Sequence, residues 1–313
     1  MSPHEFWARK RVVVTGGAGF LGSYVVENLV ENRGVARDSI VVPRSREHDL
    51  RRLDACRQVL RSADVVIHLA AVTGGIHFSR SHPASQYYDS TLIDMNICEA
   101  ARLEGIPKVV AIGNLFAYAP GAPVPLREEN LFDGVPTDAH RGVGWMKRNL
   151  AILADLYSRQ YKLDMCVVYS SNAYGPRDST DMQHSHVIPA TILKCLREPK
   201  LVVWGDGSPT RDFLYASDVA EGLLLAAERL RGPQYVNLAS GTEVSIRDLV
   251  TTIARLAGFR GSVDFDATQS GGDARRCASN ARAAELLGFR ATVPLEEGLR
   301  RTVEWCKTKL ASM

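Results

Sequence analysis

No run in the sequence is long and apolar enough to cross a bilayer, and residues 1–11 hold no apolar core of the kind a secretion signal needs. Cysteine is sparse and scattered. Cys56, Cys98, Cys166, Cys195, Cys277 and Cys306 form no CxxC pair and no metal-ligand spacing, which argues against a disulfide framework or a zinc module and reads as isolated thiols in a reducing compartment. Charge of one sign is also lacking. A formal net charge of +3 is too small for the electrostatic footprint of a nucleic-acid binder, although a local arginine cluster would still favour an anionic ligand. Repeats, low-complexity tracts and long linkers are absent as well. These absences lead to the expectation of a cytoplasmic protein with no metal site, no membrane segment and no nucleic-acid partner.

What is there is an ordinary globular composition, 45% apolar and 23% charged over 313 residues, enough for one large domain or two closely packed ones. β-branched runs at 11–15, 39–43, 64–69, 108–112 and 165–170 alternate with helical patterns at 19–32, 88–104 and 145–160. Near-continuous apolar strands separated by helices predict a parallel sheet covered on both faces, and right-handed crossovers make it doubly wound. After Asn172 turn-rich segments interrupt shorter elements, with helices expected at 188–197, 219–231, 245–257 and 295–310. The expected division is a dinucleotide-binding domain of residues 1–171 plus 212–236, and a smaller substrate-binding lid of 172–211 plus 237–313. Such a lid would close over the carboxyl ends of the strands, where open α/β sheets hold ligands.

Gly16, Gly19 and Gly22 stand between the first strand and its helix in the run Gly16-Gly-Ala-Gly-Phe20-Leu21-Gly22. The first allows a tight turn, the second a close approach of backbone to a pyrophosphate, and the third close helix–strand packing. The helix N-terminus offers unpaired N–H donors and a partial positive charge to the phosphates. This makes the fold class α/β of the Rossmann type. The end of the second strand, where an acidic residue would take the ribose hydroxyl of NAD, reads Arg44, Ser45, Arg46. Two guanidiniums and a hydroxyl suit the 2′-phosphate of NADP, with NAD the alternative. Asp49 and Leu50 are candidates to flank the adenine, and Leu69, Ala70 and Ala71 are small enough at the third strand for the cofactor to pass over.

Taken together these segments resemble the extended short-chain dehydrogenase/reductases, the NAD-dependent epimerase/dehydratase family of nucleotide-sugar enzymes, over nearly the whole chain. Within that family the runs 44–46, 69–76, 171–176, 185–189, 203–205 and 211–213 are most similar to the GDP-L-fucose synthases, which epimerise and reduce a GDP-4-keto-6-deoxy sugar. The resemblance implies a proton-donating Tyr four residues before a Lys, and a Ser or Thr after the fourth strand. Lys147 fits the Lys position and adds to the cofactor site, but Val143 stands where the Tyr belongs and Asn114 where the Ser or Thr belongs. Phe116 replaces an epimerisation Cys, and Ser90 a supporting Asn. Valine exchanges no proton, so the family's usual acid is missing.

His186 fits the family's histidine acid/base, with Lys147, Tyr118, Tyr174 and His140 as other candidates for the displaced proton chemistry. Asn114 would bind a sugar oxygen without exchanging a proton. His184 and His186 lack a third metal ligand. By resemblance Ser170, Asn172 and Ala173 reach the cofactor, and Asn172, His186, Lys194, Trp204, Arg211 and Arg276 hold a nucleotide diphosphate and its base, with Arg276 expected on a lid loop. The sequence therefore leaves three readings open. The first is an NADP(H)-binding epimerase or reductase of a GDP-sugar or other nucleotide sugar, with an atypical acid/base set. The others are a catalytically silent partner subunit and a non-redox dehydratase or rearrangement enzyme. The family habit of pairing through the helices at 88–104 and 145–160 leads to the expectation of a homodimer.

Overall fold

The computed structural model describes residues 3–72, 74, 76–181, 185–268 and 273–311. Six strands form the central sheet, in the spatial order Tyr235–Leu238, Met165–Ser170, Lys108–Asn114, Val65–His68, Val12–Thr15, Ile40–Val41. Every neighbouring pair is parallel. The chain runs outward from the first strand to the second, then crosses back to the third on the other side. That reversal leaves a crevice at the carboxyl ends of the first and third strands, the switch point where doubly wound sheets bind ligands.

The strands are apolar on both faces because helices cover both. Val13, Val66, Val109 and Val167 pack into one layer with Cys56, Ile97 and Leu150. Their neighbours Val12, Val14, Val65, Val110 and Val168 pack into the opposite layer with Val25, Leu29, Val219 and Leu223. This is the period-two alternation of a strand, read here by two helical layers instead of by helix and water. Helices Leu53–Leu60, Pro83–Leu103 and Arg141–Tyr161 form the first layer. Helices Phe20–Glu31 and Ala216–Arg229 form the second.

A second core joins Ile188, Ile192, Leu249, Ile253, Leu299 and Val303. These residues come from helices Val187–Arg197, Ile246–Ala257 and Leu295–Ala311. A parallel strand pair, Lys200–Trp204 with Ser262–Asp266, flanks them. Ser245 caps the helix Ile246–Ala257 by accepting from Asp248 N, and Gly258 ends it at φ 73°. Asp212, fully buried, ties the C-terminal region to the sheet. Its carboxylate accepts Ser240 N at 2.9 Å and Gly241 N at 3.0 Å, just past the sixth strand.

Several expected boundaries move, among them the start of the helix expected at 88, which lies at Pro83. The division after residue 236 falls inside the strand Tyr235–Leu238, whose register against Val167–Ser170 carries the sheet to Leu238. Helix Ala281–Leu287 returns to the sheet side, with Ala283, Leu287 and Phe289 in the layer of Val219 and Leu223. The helix expected to begin at 145 begins at Arg141. Gly142 and Gly144 weaken the local helical signal, but a Cβ on Gly144 would lie 2.3 Å from Pro136 Cβ and 2.6 Å from Phe116 O. The glycine is what lets the first turn of this helix press against the exit of the fourth strand.

Candidate functional site

The glycine turn is shaped by what a side chain would strike. Gly16 has φ 70°, and a Cβ there would sit 3.0 Å from Ala70 N. On Gly22 a Cβ would come within 2.1 Å of Gly16 O, so the helix cannot approach the turn unless this residue is bare. Gly19 differs: it is exposed and meets only Gly16 O at 3.2 Å, which leaves an open face for a phosphate. Helix Phe20–Glu31 has no side-chain cap and no acidic residue in its first turn, so its N–H groups and positive end are left for an anion. Phe20 and Leu21 are half-buried beside it.

Beyond the second strand, Arg44, Ser45 and Arg46 are exposed on a turn closed by His48 N to Arg44 O at 2.8 Å. Asp49 is held by Arg51 at 2.9 Å, which keeps its carboxyl below the usual range. Leu50 is buried with Cys56 and Ile97, so it serves the core, and the base-flanking surface expected of it is largely gone. Leu69, Ala70 and Ala71 are half-buried at the exit of the third strand. Leu69 N and Ala70 N both donate to Thr15 Oγ1, at 3.1 and 3.2 Å. The Thr15 hydroxyl then donates to His68 Nδ1 at 2.7 Å, and His68 Nε2 donates to Asp94 at 2.9 Å. Because two N–H groups occupy the lone pairs of Thr15, His68 is assigned the Nε2–H form. This buried chain, unremarked in the sequence, ends near Lys147.

Lys147 is buried and donates to Ile112 O at 2.9 Å. Burial pushes its pKa down, and the Asp94 carboxylate pushes back. Val143, one turn earlier on the same helix, is 7% exposed. Asn114 ends the fourth strand, and its Oδ1 already accepts Phe116 N at 3.1 Å. Two candidates for the displaced acid fall away. Tyr118 is buried and donates to Asn237 at 2.8 Å, and Tyr174 is buried and donates to Leu295 O at 3.2 Å. Burial raises both phenols well above their ordinary range; they belong to the core. His140 remains, with its ring stacked on Phe116 at 3.9 Å between centroids.

His186 stands at the start of helix Val187–Arg197 without capping it, and its Nδ1 faces Asp178 at 3.1 Å. That bond raises the imidazole pKa, and the side chain is 54% exposed. His184 lies outside the described residues, and among those described no three His, Cys, Asp or Glu side chains converge as a metal would need. Ser170 is buried, its Oγ donating to Ser171 O at 3.0 Å. Asn172 and Ala173 are half-buried, and Asn172 Nδ2 donates to Asp212 O at 2.9 Å.

The diphosphate candidates separate into two groups. Lys194 Nζ donates to Val202 O at 3.3 Å, and Trp204 ends the same strand, largely exposed. Arg211 and Arg276 instead converge on Asp273: Arg211 donates to its carbonyl at 2.8 Å and Arg276 pairs with its carboxylate. Arg276 was expected on a lid loop; it lies in the strand Arg275–Arg276, is 3% exposed, and donates to Leu115 O. Its burial follows from the backbone pairing with Thr210–Arg211.

Residues 12–239 match the family model described as the NAD dependent epimerase/dehydratase family. The chain belongs to that family. A GDP-L-fucose synthase from Sinorhizobium fredii is 32% identical over 304 residues, covering 94% of this chain and 95% of the relative. The crystal structure of a GDP-L-fucose synthetase from Naegleria fowleri bound to NADP superposes with a TM-score of 0.86 at 27% identity, covering 97% of this chain and 96% of that one. The UDP-glucose 4-epimerase of Thermotoga maritima with UDP-glucose superposes at 0.84 with 25% identity, covering 96% and 99%. The features that sequence reasoning missed are His68, Asp94 and Asp273, each polar, buried or nearly so, and brought to their partners only by tertiary packing.

Proposed function

We propose that the chain binds NADP(H) and a GDP-sugar and acts on the sugar as an epimerase, a reductase or both, with a rearranged acid/base set. The observation that carries this reading is the exit of the fourth strand. Lys147 is anchored to Ile112 O and Arg276 to Leu115 O, so a cofactor-side cation and a diphosphate-side cation are held three residues apart on one piece of backbone. The glycine cradle fits a pyrophosphate, and the exposed Arg44 and Arg46 fit a 2′-phosphate. When bound, the nicotinamide would supply or accept hydride, and Lys147 would orient its ribose. Arg211, Arg276 and Lys194 neutralise the diphosphate, and Trp204 offers a face for the base. GDP relatives favour guanine, while the UDP-sugar neighbour makes the base the less constrained part.

The pairing surface is proposed on the exposed apolar side of two adjacent helices. Tyr88 and Met95 on Pro83–Leu103, with Trp145, Ile152 and Leu156 on Arg141–Tyr161, form a patch in which Tyr88 is 65% exposed. Contiguous apolar surface of this kind marks an interface, here one with a second copy of the chain.

The test is incubation in heavy water with GDP-4-keto-6-deoxymannose and NADPH, following nicotinamide absorbance and product mass together. Consumption of NADPH with a reduced product shows a reductase. Deuterium uptake without consumption shows an epimerase. Failure of the chain to bind either NADPH or a GDP-sugar overturns the reading. A second reading, a silent binding subunit, is favoured by the engagement of Asn114 Oδ1 with Phe116 N; any turnover that Lys147→Ala abolishes while binding persists removes it.

A further inference from the structure

We infer that His140 is the catalytic base of this site, a group that takes a proton from the sugar carbon beside the ketone and becomes competent when the substrate diphosphate is seated. The inference rests on the nucleotide-sugar reading above and names the residue that reading left open.

His140 is the residue just before the helix Arg141–Tyr161, closing the short turn Asp138–His140, and that same helix carries Val143 and Lys147. Its ring lies flat on Phe116, 3.9 Å between centroids and 29° between planes. Phe116 also receives the Arg276 guanidinium at 5.2 Å from its centroid. An imidazole and a diphosphate-side arginine thus share one aromatic ring, two residues past Asn114. The ring is half-buried, and its Nδ1 is buried without a hydrogen-bond partner among the described residues. A buried nitrogen left open is costly in a finished core but useful where a ligand completes the bonding. Tyr118 and Tyr174 are consumed by core hydrogen bonds, and Lys147 is assigned to the cofactor ribose.

The charges around His140 come from every element packed against it. Arg276 and Asp273 face it from the C-terminal segment, Arg211 from the strand Thr210–Arg211, and Arg80 from helix Ile76–Ser81. On its own turn Asp138 and Arg141 pair with each other. Burial, then the Arg276 charge, lowers the imidazole to about 4, so the free protein holds it neutral at pH 7. Two of the charges that depress it, Arg276 and Arg211, are those a diphosphate would neutralise. Seating the substrate therefore raises the basicity of His140 toward its ordinary range at the moment a base is wanted. In the step itself, the imidazole nitrogen accepts the proton and the electron pair of the C–H bond becomes the enolate double bond. The former ketone oxygen takes the negative charge. The imidazolium then returns the proton to the carbon, restoring the ketone, and no external reductant or oxidant enters.

The experiment follows histidine Cε1–H signals of the full chain by NMR between pH 3 and 8, with and without GDP. The His140 signal is assigned by its loss in His140→Gln. The expected result is a titration near 4 in the free protein that moves up by about one pH unit or more when GDP is bound. Arg80→Ala, a change at an exposed residue, raises the free value without GDP, which keeps the test independent of the folding of His140→Gln. In parallel, His140→Gln slows deuterium exchange into the GDP-keto-sugar by about 100-fold or more, the low end for a general acid or base, while GDP binding changes less than about threefold. GDP binding with an unmoved His140 signal, or exchange that survives His140→Gln, overturns this inference and leaves the proposed function standing. Absence of GDP binding to the wild-type chain overturns both.

Discussion

The two walls of the cleft are made of different material. The cofactor wall is mostly backbone: Gly16, Gly19 and Gly22 act by what they lack, and the helix N-terminus acts through N–H groups every sequence possesses. The proposed reactive wall is side chains, and there Val143, Asn114 and Phe116 stand where the resemblance implies Tyr, Ser or Thr, and Cys. A backbone site constrains a few glycines strictly and leaves its other positions free. A side-chain site loses its chemistry with one substitution, yet can regain it from a neighbour, the role inferred above for His140. The comparison predicts that damage to the first wall is structural and damage to the second is chemical.

The largest effect is therefore expected at Gly22. In Gly22→Val the new Cβ would meet Gly16 O at 2.1 Å and Gly17 Cα at 2.5 Å, both backbone atoms that cannot swing away. Urea unfolding should show a loss of about 3 kcal/mol or more, together with loss of NADPH binding by fluorescence; normal binding would break the claim that backbone builds this wall. Lys147→Met should do the opposite. Removing a buried ammonium relieves its desolvation, so the unfolding midpoint holds or rises while turnover falls by about 100-fold or more. A parallel loss of stability and activity would make Lys147 a structural residue.

Restoring a phenol sharpens the contrast further. Val143→Tyr places a proton donor four residues before Lys147, and NADPH-dependent reduction of a GDP-keto-sugar should rise about tenfold or more if only the acid is missing. No gain would mean that Asn114 or Phe116 blocks the geometry. The smallest effect belongs to the rim. Arg44→Ala with Arg46→Ala should weaken NADPH by about tenfold, roughly 1.4 kcal/mol, with NADH unaffected and stability unchanged because both side chains are exposed. Equal weakening of both cofactors would assign the arginines to general electrostatics instead of the 2′-phosphate.

The sheet was legible in the sequence because strands buried on both faces read as unbroken Val and Ile, and the glycine turn because its spacing has one physical use. The strand Tyr235–Leu238 escaped notice, being four residues long and entered through Gly232 and Pro233. The early start of the helix at Arg141 was hidden by Gly142 and Gly144, which lower helix propensity but permit contact with Pro136. In the site, the loss at Val143 could be counted along the chain. The burial of Tyr118, Tyr174 and Leu50, and the inward turn of Arg276, depend on tertiary neighbours that no local pattern encodes. His140 was one name among several until its stacking on Phe116 set it apart.

The six buried thiols give the molecule a built-in clock. Burial pushes Cys56, Cys98 and Cys277 up to about 12 and Cys166, Cys195 and Cys306 up to about 11, so none is nucleophilic while the chain is closed. A thiol reagent will therefore be taken up only as fast as each region opens. Cys56, Cys98 and Cys166 time the sheet layers, and Cys195 and Cys306 time the C-terminal core. Mass analysis of which cysteines react first, with and without nucleotide, would show whether the C-terminal core breathes on its own or only when the whole chain lets go.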